Sequence, residues 1–243
     1  MGRTRRMSYP EAVHHVTMRC NNKEFLFDEL SFPLFLDILY ETREMHGILL
    51  YNYCLMTNHV HLLFQVSAED TLSKFMQRLA NVFANRFNRM RHRKGHLWEG
   101  RFVSTIIEAP SCFLRGMAYL DLNPVRARIV EHPANYAWSA HRHVVAENTA
   151  MVQLHEAYLA LGRTPSERSR AYRSLLAEEA ARKTYSLAGT LFFGSKAFVD
   201  RMRIRFGITA AANSRFHQEE VRDGAWAVSL RRGGAKGPPF RSS

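Results

Sequence analysis

The sequence predicts an α+β sandwich built on an antiparallel sheet of the ferredoxin-like type, and three observations lead there. Hydrophobic periods alternate through Asn123 in the order strand, helix, strand, strand, helix, strand, helix, a succession that suits helices packed against one sheet. Two β-rich runs meet at Thr57-Asn58 with the spacing of a hairpin. The composition, 46% hydrophobic and 23% charged over 243 residues, is that of a chain able to bury a core.

Ala12 to Cys20 is short and partly alternating, which predicts the first strand. Ser31 can cap a helix with Pro33 in its first turn. Leu34, Phe35, Ile38, Leu39, Thr42 and Met45 then recur at helical spacing, and Gly47 ends the run. Ile48 to Met56 and His59 to Val66 form the hairpin. From Asp70-Thr71 a long helix follows, with Leu72, Phe75, Met76, Leu79, Val82, Phe83, Phe87 and Met90 on its apolar face. A basic loop from Arg91 to Gly100 leads to a strand at Phe102 to Ile107. Pro110-Ser111 then opens a helix that reaches Asn123 before Pro124.

Beyond residue 148 the character changes. Residues 151–161, 167–183 and 198–206 read as helices, so 149–210 is expected to be a small helical extension of a domain spanning 1–148. Residues 211–243, with Gly233 to Pro239 at their centre, are expected to be a disordered tail.

Lys and Arg number 34 against 22 acids, a net charge of +12. That excess suits nucleic acid first and an anionic membrane surface second, the alternative being a basic surface with no partner. Cys20, Cys54 and Cys112 stand far apart, which excludes a disulfide framework or a cysteine zinc cage and fits a reducing cytosol. The basic start is followed by Ser8-Tyr9-Pro10-Glu11 rather than an apolar core, and no apolar run reaches the ~20 residues of a membrane span. A cytoplasmic protein without membrane contact is expected. There is no P-loop, G-x-G-x-x-G or G-x-S-x-G, so no nucleotide cofactor is expected.

Three features can carry chemistry. In His59-Val60-His61 the period of two puts both imidazoles on one strand face, either as half of a divalent-metal site or as decoration of a polar face. On the helix from Ser111, Tyr119 lies off the face of Phe113, Met117 and Leu120, with Asn123 one turn on. The pair can act as nucleophile and ligand, or as a surface tyrosine with a helix C-cap before Pro124. From Asn85 to Phe102, cations interleave with aromatics: Arg86, Arg89, Arg91, Arg93, Lys94 and Arg101 can track phosphates, and Trp98 or Phe102 can stack on unpaired bases. The alternative is a solvated loop whose Trp packs on its own domain. His141-Arg142-His143 lies in a helical stretch and reads as surface.

Taken in order, Met56-Thr57-Asn58-His59-Val60-His61-Leu62-Leu63, Gly95-His96-Leu97-Trp98-Glu99-Gly100-Arg101-Phe102 and Tyr119-Leu120-Asp121-Leu122-Asn123-Pro124-Val125-Arg126-Ala127 resemble the single-tyrosine HUH transposases. The group they resemble most is the REP-associated tyrosine transposases. The resemblance spans roughly residues 7–145 and includes Tyr136-Ala137-Trp138-Ser139. It implies a ferredoxin-like HUH domain that cleaves and rejoins single-stranded or hairpin DNA. His59, His61 and Asn123 would hold Mg²⁺ or Mn²⁺, and Tyr119 would attack phosphorus to leave a 5′-phosphotyrosine and a free 3′-OH. Arg126, in the third motif, joins the DNA-binding candidates, and DNA binding would associate the protein with the nucleoid. Val103 and Arg128 depart from the basic residue and the glycine that many relatives carry. Members differ in whether the tyrosine serves its own subunit, so monomer and homodimer both stay open. A non-catalytic DNA binder and a phosphodiesterase that uses water are the other classes to be weighed.

Overall fold

The computed structural model describes residues 6–182, 185–187, 189–208 and 216–230. Its first half runs β1 (Val13–Arg19), α1 (Ser31–His46), β2 (Leu49–Leu55), β3 (His59–Gln65), α2 (Thr71–Met90), β4 (Val103–Ile107) and α3 (Phe113–Asp121). This is the predicted succession. β1 lies between β3 and β4, antiparallel to both, and β2 flanks β3. Local chemistry sets the boundaries. Gly47, at φ +60, closes α1 in the left-handed region that L side chains avoid. At the other end the Asp28 carboxylate accepts from the N–H groups of Leu30 and Ser31, a capping task expected of Ser31.

The alternation along β1 and β3 gives the sheet two chemically different faces. His14, Val16 and Met18 stand opposite Phe64, Leu62 and Val60, and this face meets α2, where Phe64 packs on Phe75. The α2 stripe Leu72, Phe75, Met76, Leu79, Phe83 and Phe87 is almost wholly withdrawn from water, at about 1.5–3 kcal/mol per side chain. On the opposite face His15, Thr17 and Arg19 stand across from Leu63, His61 and His59. That face is covered by α3.

The helix expected to run to Asn123 ends at Asp121, and a separate turn, α4 (Asn123–Arg126), carries Pro124 near its start, where its missing N–H is harmless. Asp121 is buried and takes three hydrogen bonds. Its Oδ1 accepts from Asn52 Nδ2 at 2.8 Å, and its Oδ2 from His141 Nδ1 at 2.7 Å and the Tyr172 hydroxyl at 2.8 Å. These partners sit on β2, α5 (His141–Val145) and α7 (Pro165–Ala181). His141 is therefore not the surface residue its H-x-H spacing suggested: the carboxylate draws it into the core.

The extension departs from the all-helical expectation. The first expected helix shrinks to α6 (Glu156–Leu159), whereas α7 begins with a full capping box between Thr164 and Glu167. Then β5 (Thr190–Ser195) joins the sheet in parallel with β4, aligning Ile106 with Phe192 and Ile107 with Phe193. After α8 (Lys196–Arg205), β6 (Phe216–Arg222) and β7 (Ala225–Leu230) complete a seven-stranded sheet in the order β2-β3-β1-β4-β5-β7-β6. A run of Phe192 and Phe193, both fully buried, is short enough for a strand and too apolar for a surface turn. The strand pair β6–β7 also corrects the tail expected from 211 onward. The Gly233–Pro239 stretch and residues 1–5 lie outside the described residues. The outer side of β2 is covered by the chain itself: Leu55 N–H donates to Trp138 O, Cys54 bridges to Ser139, and Gln153 N–H donates to Leu50 O at 2.7 Å. Among the described residues, no helix is long and apolar enough to cross a membrane.

Two predictions follow from the core. Asp121→Ala strands three buried donors and is expected to cost about 3 kcal/mol or more, measured as a lowered urea midpoint. A loss under 1 kcal/mol would show that water replaces the carboxylate. The second concerns His14, whose nitrogens lie 3.0 Å from Ser8 Oγ and 2.8 Å from Ser104 Oγ. Burial lowers its pKa from the ordinary 6.5 to about 3. The unfolded chain then takes up the proton first, so this contribution is full above pH 6.5 and is lost as pH falls toward 3, by up to about 1.4 kcal/mol per pH unit. His14→Gln should flatten the urea midpoint between pH 6 and pH 4 relative to wild type. An unchanged slope would place the acid sensitivity elsewhere.

Candidate functional site

The polar face of β1 and β3 gathers the side chains with chemistry. His59 and His61 project from one side of β3, their ring centroids 4.8 Å apart and the planes nearly perpendicular. His59 Nδ1 is 2.6 Å from Asn58 Oδ1 and so carries the proton there, which leaves Nε2 as its lone pair. His61 Nδ1 is 3.0 Å from His15 Nε2 and 3.1 Å from Thr17 Oγ1. Its other nitrogen, Nε2, is buried without a hydrogen-bond partner. Burial and the facing Arg19 hold the His59 pKa down to about 4. Burial, with His59, His15 and Arg19 around it, keeps His61 well below 6.5. Both rings are thus neutral near pH 7, the form that binds metal.

Tyr119 arrives from α3. Gly116, one turn earlier, lets the helix settle on β4: a Cβ there would stand 2.8 Å from Ile107 Cδ1. The phenol ring lies 6.0 Å from the His61 ring, 5.5 Å from His15 and 5.7 Å from Tyr185. Burial raises the phenol pKa, opposed by a hydrogen bond from the Leu187 backbone, the Arg126 charge and the Ser186 side chain. The 185–187 segment is itself pinned to the sheet, where the Thr105 hydroxyl bonds the Leu187 and Thr190 carbonyls.

The other expected site residues divide. The Asn123 amide nitrogen donates to Tyr119 O at 2.7 Å and Leu120 O at 3.4 Å, so its own helix orients it, and its oxygen is the atom with ligand chemistry. Among the described residues no three His, Cys, Asp or Glu side chains form a metal cage. The two imidazoles are the donors brought together here, and the unpartnered Nε2 of His61 would suit a divalent ion. Arg126 stacks over the Tyr119 ring at 5.4 Å. Arg86 and Arg89 are exposed on α2, the helix behind the opposite sheet face.

The basic loop does reach the site's edge, since Glu99 N–H donates to Arg19 O. Its cations are partly engaged: Arg91 pairs with Asp28, and Arg93 with Glu24 at 3.0 Å, while Lys94 and Arg101 are exposed. Trp98 corrects the expectation of a free stacking face. Its indole N–H donates to Ala80 O at 3.0 Å, and its ring packs near Phe27 and Phe83, which anchors the loop to α2. Phe102 lies under Arg6. The sequence reading missed His15, Thr17 and the Ser186-Leu187 cover. His15, Thr17 and Arg19 had a signal, polar residues at every second position of β1. Ser186 and Leu187 had none, because their place depends on the β5 pairing.

Comparison with known proteins agrees with this layout. A family described as IS200-like transposases matches residues 8–112. The solved structure of a REP-associated tyrosine transposase bound to a REP hairpin superposes with a TM-score of 0.53 at 14% identity, over 64% of this chain and 93% of that one. A transposase structure from Deinococcus radiodurans R1, described there only as a candidate, aligns at a TM-score of 0.36 and 20% identity, over 53% of this chain and 92% of that one. None of the curated proteins matches. The superposition at 0.53 concerns the fold, and the family match covers β1 through β4 with both histidines but stops short of Tyr119. Over residues 8–112 the chain is thus similar to the IS200-like transposases.

Proposed function

We propose that the protein is a metal-dependent strand transferase that cleaves and rejoins single-stranded DNA at short hairpins through Tyr119. The observation that carries this is the phenol of Tyr119 beside the neutral His59–His61 pair of its own chain. The hairpin substrate is suggested by the superposed transposase, which is bound to a REP hairpin. His59, His61 and the Asn123 oxygen would hold Mg²⁺ or Mn²⁺, which when bound polarises a scissile phosphate and offsets its charge. Arg126, over the ring, favours the phenolate. The phenolate oxygen forms a bond to phosphorus as the bond to the 3′ oxygen breaks, and that oxygen leaves as a 3′-OH. The ester is conserved on Tyr119, so rejoining needs no nucleotide. Lys94, Arg101 and the loop's other cations would track the strand at the His59 edge. The net charge of +12 suits this partner.

The test uses hairpin oligonucleotides labelled at either end, with Mg²⁺ or Mn²⁺. The 3′-end label should migrate with the protein on a denaturing gel, and the 5′-end label should not. Tyr119→Phe should abolish the adduct while DNA affinity stays within about 2-fold, and His59→Ala or EDTA should abolish it too. Cleavage without an adduct would favour water as nucleophile, and binding without cleavage would favour a non-catalytic binder. A further expectation is specific to Arg126. Arg126→Gln should slow adduct formation about 10-fold near pH 7 and move the alkaline rise of the rate to higher pH, because the cation lowers the phenol pKa. An unmoved profile would return Arg126 to phosphate contact alone.

A further inference from the structure

A third imidazole joins the two histidines without belonging to the H-x-H motif. His15 is buried on β1, one strand from His61, and its Nε2 lies 3.0 Å from His61 Nδ1. The two rings stack, with centroids 5.2 Å apart and planes 16° from parallel. The same His15 ring meets Tyr119 edge-on at 5.5 Å. Thr17, also on β1, places Oγ1 3.1 Å from the same His61 nitrogen. His15 therefore touches both the metal-facing histidine and the nucleophile candidate, and Thr17 supports it from one side.

The tautomer of His61 decides what this contact does. A neutral imidazole has one N–H and one lone pair, and the hydrogen bond made by one nitrogen fixes the role of the other. His61 Nε2 has no partner, whereas Nδ1 has two, each able to donate or accept. Either tautomer satisfies Nδ1; with the proton there, donated to His15 Nε2 or Thr17 Oγ1, no N–H donor is stranded at the buried Nε2, whose lone pair is left free. Metal-binding histidines commonly need such an acceptor behind them, and its loss typically costs 10–100-fold in metal affinity.

We propose that His15 is a positioning residue of this site: it accepts the Nδ1 proton of His61, turns Nε2 into the metal-facing donor, and braces the Tyr119 ring with its edge. The inference rests on the reading of His59 and His61 as metal ligands. It adds a residue that neither motif contains.

Mn²⁺ binding, measured by calorimetry and by the paramagnetic resonance signal of free Mn²⁺, separates the inference from the reading beneath it. Wild type should bind, and His59→Ala should lose most of that affinity. His15→Phe keeps an aromatic ring but removes the acceptor, and should weaken binding 10–100-fold. His15→Gln restores an acceptor oxygen and should stay within about 3-fold of wild type, and Thr17→Val should produce a smaller loss than His15→Phe. If His15→Phe does not fold, nitrogen-15 spectra of histidine-labelled wild type decide the point without any variant. They should show His61 protonated at Nδ1. Wild-type affinity in folded His15→Phe beside a defective His59→Ala overturns the inference alone, as does a His61 proton on Nε2. A wild type that binds no Mn²⁺, or a His59→Ala that binds as tightly, overturns the metal reading and the inference with it.

Discussion

The buried carboxylate of Asp121 is the constraint on which the site's geometry depends. It ends the helix that carries Tyr119, and its two oxygens take three donors from β2, α5 and α7. A carboxylate at that depth is tolerated because three donors meet it. The consequence is positional. With its C-terminal end tied on three sides, α3 has little freedom to slide along the sheet, and Gly116 lets it approach β4 closely. The phenol is thereby held over the imidazole face by groups that never touch it.

Electrostatics on that face follow from the same burial. His15 titrates near pH 3 and His59 near pH 4 because charging either would place a cation in a dry layer beside Arg19 or another imidazole. Neutral imidazoles cost little to bury and offer lone pairs, whereas carboxylates in the same place would repel a phosphate. The basic loop joins the face through the Glu99–Arg19 backbone contact, so cation density lies at one end of the sheet and nitrogen lone pairs lie further in. The opposite sheet face packs on α2, and the imidazole it carries, His14, is enclosed between two serine hydroxyls rather than beside a phenol.

Much of this was legible in the sequence because it is local. The strand period of two places His59 and His61 together without reference to any other element, and the α2 stripe shows a 3.6-residue period. What was illegible depends on distant pairing. His141 looked like surface because nothing in its own turn reveals that Asp121 and Tyr172 will meet it. Trp98 looked available because only the fold brings the Ala80 carbonyl to its indole. The β5 run was hidden between helices, and its effect on Tyr119 through Ser186 and Leu187 arises only once it docks beside β4. His15 stood in plain view, yet its alternation with Thr17 and Arg19 was outweighed by the more conspicuous H-x-H.

The added strands also decide how the sheet can meet other molecules. In a four-stranded ferredoxin-like unit, β4 and β2 are bare margins that invite strand addition. Here β5 occupies the first, and the 138–153 stretch hydrogen-bonds along the second. Among the described residues the remaining margin is β6, where Glu219 and Glu220 bring negative charge to an otherwise cationic protein. Self-assembly by merging sheets would have to bring two such acidic margins together, with like charges opposed across the join. A cation shared across that seam would offset the repulsion between the two copies' Glu219 and Glu220.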